Sequence, residues 1–286
     1  MLKYNKFINF KSIGGLTMKK KFLLGVAALI LSFSMIGCSS QGNSSKEDKS
    51  LEAIKQKGEF VVGLDDTFAP MGFRDEKGEI VGMDIDLAKE VAKRMGVKAV
   101  FKPVEWDGII MSLNNGDIDL IWNGLSITEK RKEQINYSNP YLVDRQAIMV
   151  KQDSSIKTKK DLKDKVVALQ MGSTSEDAVQ KEPELLKSFK ELKKYGNYAE
   201  ALMDLQIGRV EAVVIDEIVG RYYMTKKPGV YTVLDDSLEE QPMGVGFRKA
   251  DVSFKDEVNK ILDEMKADGT AKKISEKWFG KDLIKK

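Results

Sequence analysis

Residues 113–121, LNNGDIDLI, and residues 205–213, LQIGRVEAV, follow one local plan twice. Leu113, Gly116, Ile118, Asp119, Leu120 and Ile121 recur as Leu205, Gly208, Val210, Glu211, Ala212 and Val213, each at an offset of 92 residues. In both copies an amphipathic helical run ends at a glycine, the residue that takes a left-handed conformation just past a helix at least steric cost. A polar–apolar alternation then enters a strand. A weaker echo pairs VVGL at 61–64 with VVAL at 166–169, each followed by a polar turn containing Gly or Pro. The two echoes together predict two similar α/β lobes.

Around these segments the pattern continues. Residues 60–64 read as a strand, and 84–95 as a helix with Ile85, Ala88, Val91, Ala92 and Met95 on one face. Residues 99–101 form the next expected strand, 106–115 a short helix and 118–122 another strand, so parallel βαβ units are predicted. Ligands of open α/β sheets gather beyond the carboxyl ends of the strands, where loops meet helix starts. Here those ends are 65–70, 123–126, 170–175 and Asp216. Gly124 and Asp216 share the offset of 92 and are expected to face one another across a cleft.

Composition removes several chemistries. The 286 residues include no His and one Cys, which excludes a Ser-His-Asp triad, HExxH zinc chemistry, CxxC redox sites and an internal disulfide. No cofactor is expected. The net charge of +3 comes from the amino terminus, where residues 1–37 hold six Lys and no acid. The remainder has 41 basic and 44 acidic residues, a net −3, with the signs interspersed. No basic stripe tracks phosphates, so nucleic acid is not an expected partner.

The first 37 residues read as an export signal. Met18 precedes the basic run Lys19, Lys20 and Lys21, and an apolar stretch over 22–36 follows, too short for a membrane span. Residues 1–17 read as an upstream extension of the start. The stretch ends MIGC at 35–38, which resembles a bacterial lipobox with Met35 where Leu is usual. Cys38 is then the lipidated amino terminus, and 38–50 a polar tether with nothing to bury until its last residues. This would hold the folded body at the outer face of the cell membrane by one lipid anchor.

The expected cleft residues suggest a ligand. Arg131 carries a planar fork suited to a carboxylate, and the helix starts near 126–128 and at Ser173 and Thr174 add N–H donors. Asp216 accepts hydrogen bonds only and suits an ammonium. Opposed carboxylate and ammonium grips describe an α-amino acid, and Phe68 and Trp106 offer flat walls for its side chain. No second Arg or Lys stands among these positions, so an acidic side chain would lack a partner. Each residue also has a plainer reading. Asp65 could form a turn, Arg131 could belong to a solvated charge run, Asp216 could cap a helix, and Phe68 and Trp106 could be core.

From Phe60 to the carboxyl terminus the chain resembles the extracytoplasmic solute-binding proteins of polar amino acid ABC transporters, a family that includes histidine, lysine/arginine/ornithine and glutamine binding proteins. The segments carrying the resemblance are VVGLDDTFAP, GEIVGMDIDLAKEVAKRMG, EWDGIIMSLNNGDIDLIWNGLSITEKR, YSNPY, LQMGSTSE, GRVEAVVIDE and GVGFRK. The resemblance implies an α/β, two-lobed periplasmic-binding-protein-like fold of type II, with two hinge strands crossing near 141–147 and 236–244. Lobe one would comprise 51–143 with 239–286, and lobe two 144–238. It also implies that Arg131 binds the ligand carboxylate, helped by Ser126, Ser173 and the Thr174 amide. Asp216 would take the ammonium, helped by the Gly124 carbonyl and Ser126. Phe68 and Trp106 would pack on the ligand, and Asp65 would reach the far end of its side chain. Asn123 and Gln170 occupy variable positions that bear on selectivity. Asp65, with Asp66 or Glu105 nearby, leans the expected ligand toward a cationic or amide side chain.

The implied partners are a free amino acid, a membrane permease with its ATPase, and the membrane through the lipid. A monomer is expected, and no catalytic role. The same fold also resembles cyclohexadienyl and arogenate dehydratases, for which Glu105 is the conceivable acid, but an intact amino acid grip argues against an enzyme.

Overall fold

The computed structural model describes residues 48–285. The expected export signal, Cys38 and most of the tether lie outside the described residues. Two five-stranded sheets form the frame. The first has the order Lys98–Pro103, Glu59–Leu64, Leu120–Ile121, Gly246–Phe247, Asn136–Tyr137, and the second the order Glu191–Tyr195, Val166–Gln170, Ala212–Asp216, Leu142–Lys151, Tyr231–Met243. In each sheet the first three strands are parallel, as expected. Beyond them Gly246–Phe247, Leu142–Lys151 and Tyr231–Met243 each pair antiparallel with a neighbour. These three belong to the stretches that run between the sheets. They enter directly, without the crossover helix that a parallel neighbour requires.

The repeat holds to the level of single bonds. In the first sheet the Asp119 carboxylate accepts from the Val61 amide at 2.8 Å, and the Asp119 amide donates to the Val61 carbonyl at 2.8 Å. In the second, the Glu211 carboxylate and amide make the same two contacts with Val166, both at 2.8 Å. Val62 opposes Leu120 where Val167 opposes Ala212. Gly116 and Gly208 end their helices at φ 83° and 78°.

The helix expected at 84–95 spans Met83–Met95 and buries Ile85, Ala88, Val91, Ala92 and Met95. The helix expected at 106–115 is a 3₁₀ turn, Trp106–Gly108, followed by a six-residue α-helix, Ile109–Asn114. Residues 118–122 supply only the two-residue strand Leu120–Ile121.

The two long strands pair directly, Leu142 with Met243 through Gln146 with Glu239, and register shifts lie on either side of Ser237, which opposes Ala147. Two antiparallel strands therefore join two α/β lobes. A small three-stranded sheet, Thr67–Phe68, Gly72–Arg74 and Ile80–Val81, carries Phe68 to the edge of the first lobe.

Candidate ligand-binding cleft

Arg131 lies in a single helical turn, Glu129–Lys132, whose N-cap Thr128 accepts from the Arg131 amide. So short a turn has little dipole of its own, and one of its amides, that of Arg131, is bonded to the cap. The anion-binding capacity resides in the guanidinium. It is 6 % exposed, donates to the Ser126 carbonyl at 3.2 Å and the Gly172 carbonyl at 3.0 Å, and lies 5.8 Å from the Trp106 ring centre. Two of its five N–H donors are used in these contacts, which leaves three for a carboxylate.

Asp216 ends the strand Ala212–Asp216 and precedes the helix Glu217–Lys226 without capping it through its side chain. Its carboxylate, 3 % exposed, accepts from Gln146 Nε2 at 2.9 Å and from the Tyr198 hydroxyl at 3.1 Å. Burial pushes its pKa up, while those two donors and the positive Arg131 pull it back down. The two charges therefore sense one another although they belong to different lobes.

Between them the lobes already touch. Ser126 Oγ and Thr174 Oγ1 are 3.2 Å apart, and Gln146 Nε2 donates to the same Thr174 oxygen at 3.1 Å. Asp65, expected as a ligand contact, accepts from the Thr67 amide and hydroxyl at 2.9 and 2.7 Å and from Gln170 Nε2 of the other lobe at 2.7 Å. Burial raises its pKa. Gln170 also donates to the Gly196 carbonyl at 3.0 Å. Asn123 is fully buried and accepts from the Asp65 amide at 3.1 Å, so it shapes the loop that holds Asp65. Ser173 caps the helix Thr174–Gln180, accepting from the Glu176 amide and donating to the Gln170 carbonyl. Its hydroxyl is thereby committed to the local backbone.

Phe68 stacks with Trp106 at 6.3 Å and 2°, and tilts against Tyr198 at 6.0 Å and 40°. Gly124 stands behind this wall at φ 62°, where a Cβ would come within 2.6 Å of the Phe68 ring. Its amide donates at 2.7 Å to Asp84, a fully buried carboxyl that also receives the Tyr141 hydroxyl at 2.8 Å and whose pKa burial pushes up to about 7. Gly172, at φ 71°, would place a Cβ 2.9 Å from the Asp107 Cα, so only glycine allows the lobes to approach this closely here.

The structure adds residues that the sequence reading did not single out. Tyr198 and Gln146 hold Asp216, and Ser175 donates to Gln146 Oε1 and lies 2.6 Å from the Tyr198 hydroxyl. The available signal was Gln146, a lone amide heading the apolar run 147–150. Among the described residues no group of His, Cys, Asp and Glu could hold a metal, and no helix is long and apolar enough to cross a membrane.

Comparison with known proteins gives the arrangement its context. The profile of bacterial extracellular solute-binding proteins, family 3, matches residues 60–281. The L-cystine-binding protein TcyJ of Escherichia coli strain K12 is 30 % identical over 268 residues, covering 93 % of this chain and 97 % of its own. The ABC transporter glutamine-binding protein GlnH of Bacillus subtilis is 33 % identical over 276 residues, covering 93 % and 99 %. Among solved structures, a Streptococcus pneumoniae ABC uptake transporter substrate binding protein with bound histidine superposes with a TM-score of 0.81 at 35 % identity, covering 84 % of this chain and 99 % of that one.

Proposed function

Since the chain belongs to the family 3 bacterial extracellular solute-binding proteins, we propose that it captures a polar or cationic L-amino acid by closing two type II lobes, and delivers it to an ABC importer. The observation that carries this is that Arg131 and Asp216, one charge from each lobe, are both buried, with the Arg131 charge acting on the Asp216 carboxyl. A ligand carboxylate on Arg131 and its ammonium on Asp216 would join the lobes and stabilise the closed state over the open one. Hinge closure around a ligand is the general mode of periplasmic binding proteins. Lobe one, 51–143 with 239–286, supplies Arg131, Ser126, Phe68 and Trp106. Lobe two, 144–238, supplies Asp216, Thr174 and Gln170. Both charges come from one chain, which supports a working monomer.

The side-chain end of the ligand lies toward Asp65. A cavity of about 230 Å³ beside it is lined by Asp66, Glu105, Trp106 and Asn197, among other residues, so two further acids favour a cationic or amide group there. Relatives named for arginine, histidine, glutamine and cystine span that range of side chains. The dehydratase alternative has less support, since Glu105 is exposed and the named relatives are binding proteins.

Differential scanning fluorimetry against the twenty amino acids, ornithine, citrulline and cystine tests the reading. A ligand at 100 times its dissociation constant adds about 2.7 kcal/mol, so Arg, Lys, ornithine, His or Gln is expected to raise the melting temperature by several degrees. No shift with any of them, in ligand-free folded protein, would defeat it.

The anchor belongs to the same proposal. Cys38 after Gly37 would carry the lipid and 39–50 the tether, at the outer face of the membrane. Cys38→Ser is expected to move the protein from the membrane fraction to the medium, read by immunoblot. Equal membrane retention of the variant would refute a lipid on Cys38.

A further inference from the structure

Two buried oxygen atoms on the crossing strands have no hydrogen-bond partner: Oδ2 of Asp144 and Oε1 of Gln241. Their residues are directly opposed in the antiparallel register. Directly opposed residues project to the same face with Cβ atoms about 5 Å apart. An ionised carboxylate only accepts, and so does an amide carbonyl, so two opposed residues each hold a buried acceptor that no donor reaches. One proton on Asp144 would satisfy both.

We propose that Asp144 sits in the protein as a neutral acid, donating to the Gln241 side-chain carbonyl across the two crossing strands, so that Asp216 is the one anion turned to the ligand's ammonium. This rests on the amino acid grip proposed above. The surroundings agree. From the neighbouring strand and the helix after it, Asp216 and Glu217 both face Asp144, and the Ile218 amide donates to its other oxygen at 3.3 Å. Glu217 is neutralised by Arg145, with 2.9 Å between Arg145 Nη2 and Glu217 Oε1, and by Arg221. Asp144 and Asp235 also act on the Arg145 charge. The Arg145 guanidinium nevertheless gives its hydrogen bonds to Glu217 and none to Asp144. Burial and the Asp216 charge both push the Asp144 carboxyl well above the usual carboxylate range. Asp216, by contrast, has two donors and Arg131 to hold its charge.

An acid that holds its proton more tightly folded than unfolded stabilises the fold fully below its unfolded pKa, about 4. That contribution falls as pH rises towards the folded value, tenfold in the folding equilibrium per pH unit. Asp144→Asn keeps the shape, keeps a donor for Gln241 and removes the titration. In the full chain without ligand, the melting temperature of Asp144→Asn minus that of wild type is therefore expected to widen by a few degrees per pH unit from about pH 5 upward. A difference that stays flat from about pH 5 to 9 overturns the proposal, and would mean an ionised Asp144 met by a turned Gln241 amide.

Calorimetry with L-arginine and L-glutamine near pH 6 separates this from the grip itself. Asp144→Asn is expected to bind within about threefold of wild type, while Asp216→Asn loses on the order of 30-fold. Equal losses in both variants overturn the neutral role of Asp144 and leave the grip standing. Unchanged binding by Asp216→Asn overturns the grip, while the melting-temperature difference still decides the neutral state of Asp144.

Discussion

Arg131→Ala is expected to weaken binding of every amino acid ligand on the order of 30-fold or more, measured by isothermal titration calorimetry. Removing one partner of a desolvated charge pair costs about 2 to 5 kcal/mol, and each 1.4 kcal/mol is a factor of ten. The loss should exceed that of a simple contact, since the guanidinium also joins the lobes through the Gly172 carbonyl at 3.0 Å and packs on Trp106. Arg131→Lys should recover only part of it, because an ammonium keeps the charge and loses the planar fork. Nearly unchanged affinity in Arg131→Ala would remove this residue from the site.

Asp216→Asn is the second large effect. The substitution removes the charge that faces the ligand's ammonium, and it turns one acceptor oxygen into a donor against Gln146 Nε2 or the Tyr198 hydroxyl. A loss on the order of 30-fold or more is expected. A cycle with the corresponding 2-oxo acid isolates the cause. The amino-free ligand should bind wild type weakly and lose little further in Asp216→Asn. If both ligands lose the same factor, Asp216 acts on the fold of the cleft and not on the ammonium.

Several parts of this architecture were legible before any coordinates. The echo at an offset of 92 marked both lobes because it records how each begins its third parallel strand: a helix, a left-handed glycine and an acid that ties back to the first strand. Asp119 on Val61 and Glu211 on Val166 show that the repeated acids carry a repeated bond. The helix Met83–Met95 was legible because its buried face recurs every three or four residues. Asp216 was nominated because it stands at a strand end, where ligands of such sheets collect, and Arg131 because its planar fork follows a helix start beyond another such end.

Other parts were not. Asp84 read as an ordinary acid at a helix start, yet it is fully buried, and its partners Gly124 and Tyr141 lie 40 and 57 residues away. Tyr198 read as nothing in particular and proves to hold Asp216. Asp65 and Gln170 were nominated separately and meet at 2.7 Å across the lobes, 105 residues apart. The crossing strands were expected near 141–147 and 236–244, but their antiparallel pairing with each other was not, since a strand's direction depends on which element it returns from.

The amino-acid sequence alone determined the two α/β lobes, the kind of charges at their strand ends and the ligand class those charges suit, because local periodicity and residue chemistry are properties of short segments. Only the tertiary structure decided which charges of the two lobes act on one another, which carboxyls are bonded to neighbours and which buried acceptors lack a partner. Those outcomes depend on the pairing of distant segments and on burial, and burial sets the strength of every charge and hydrogen bond in the cleft.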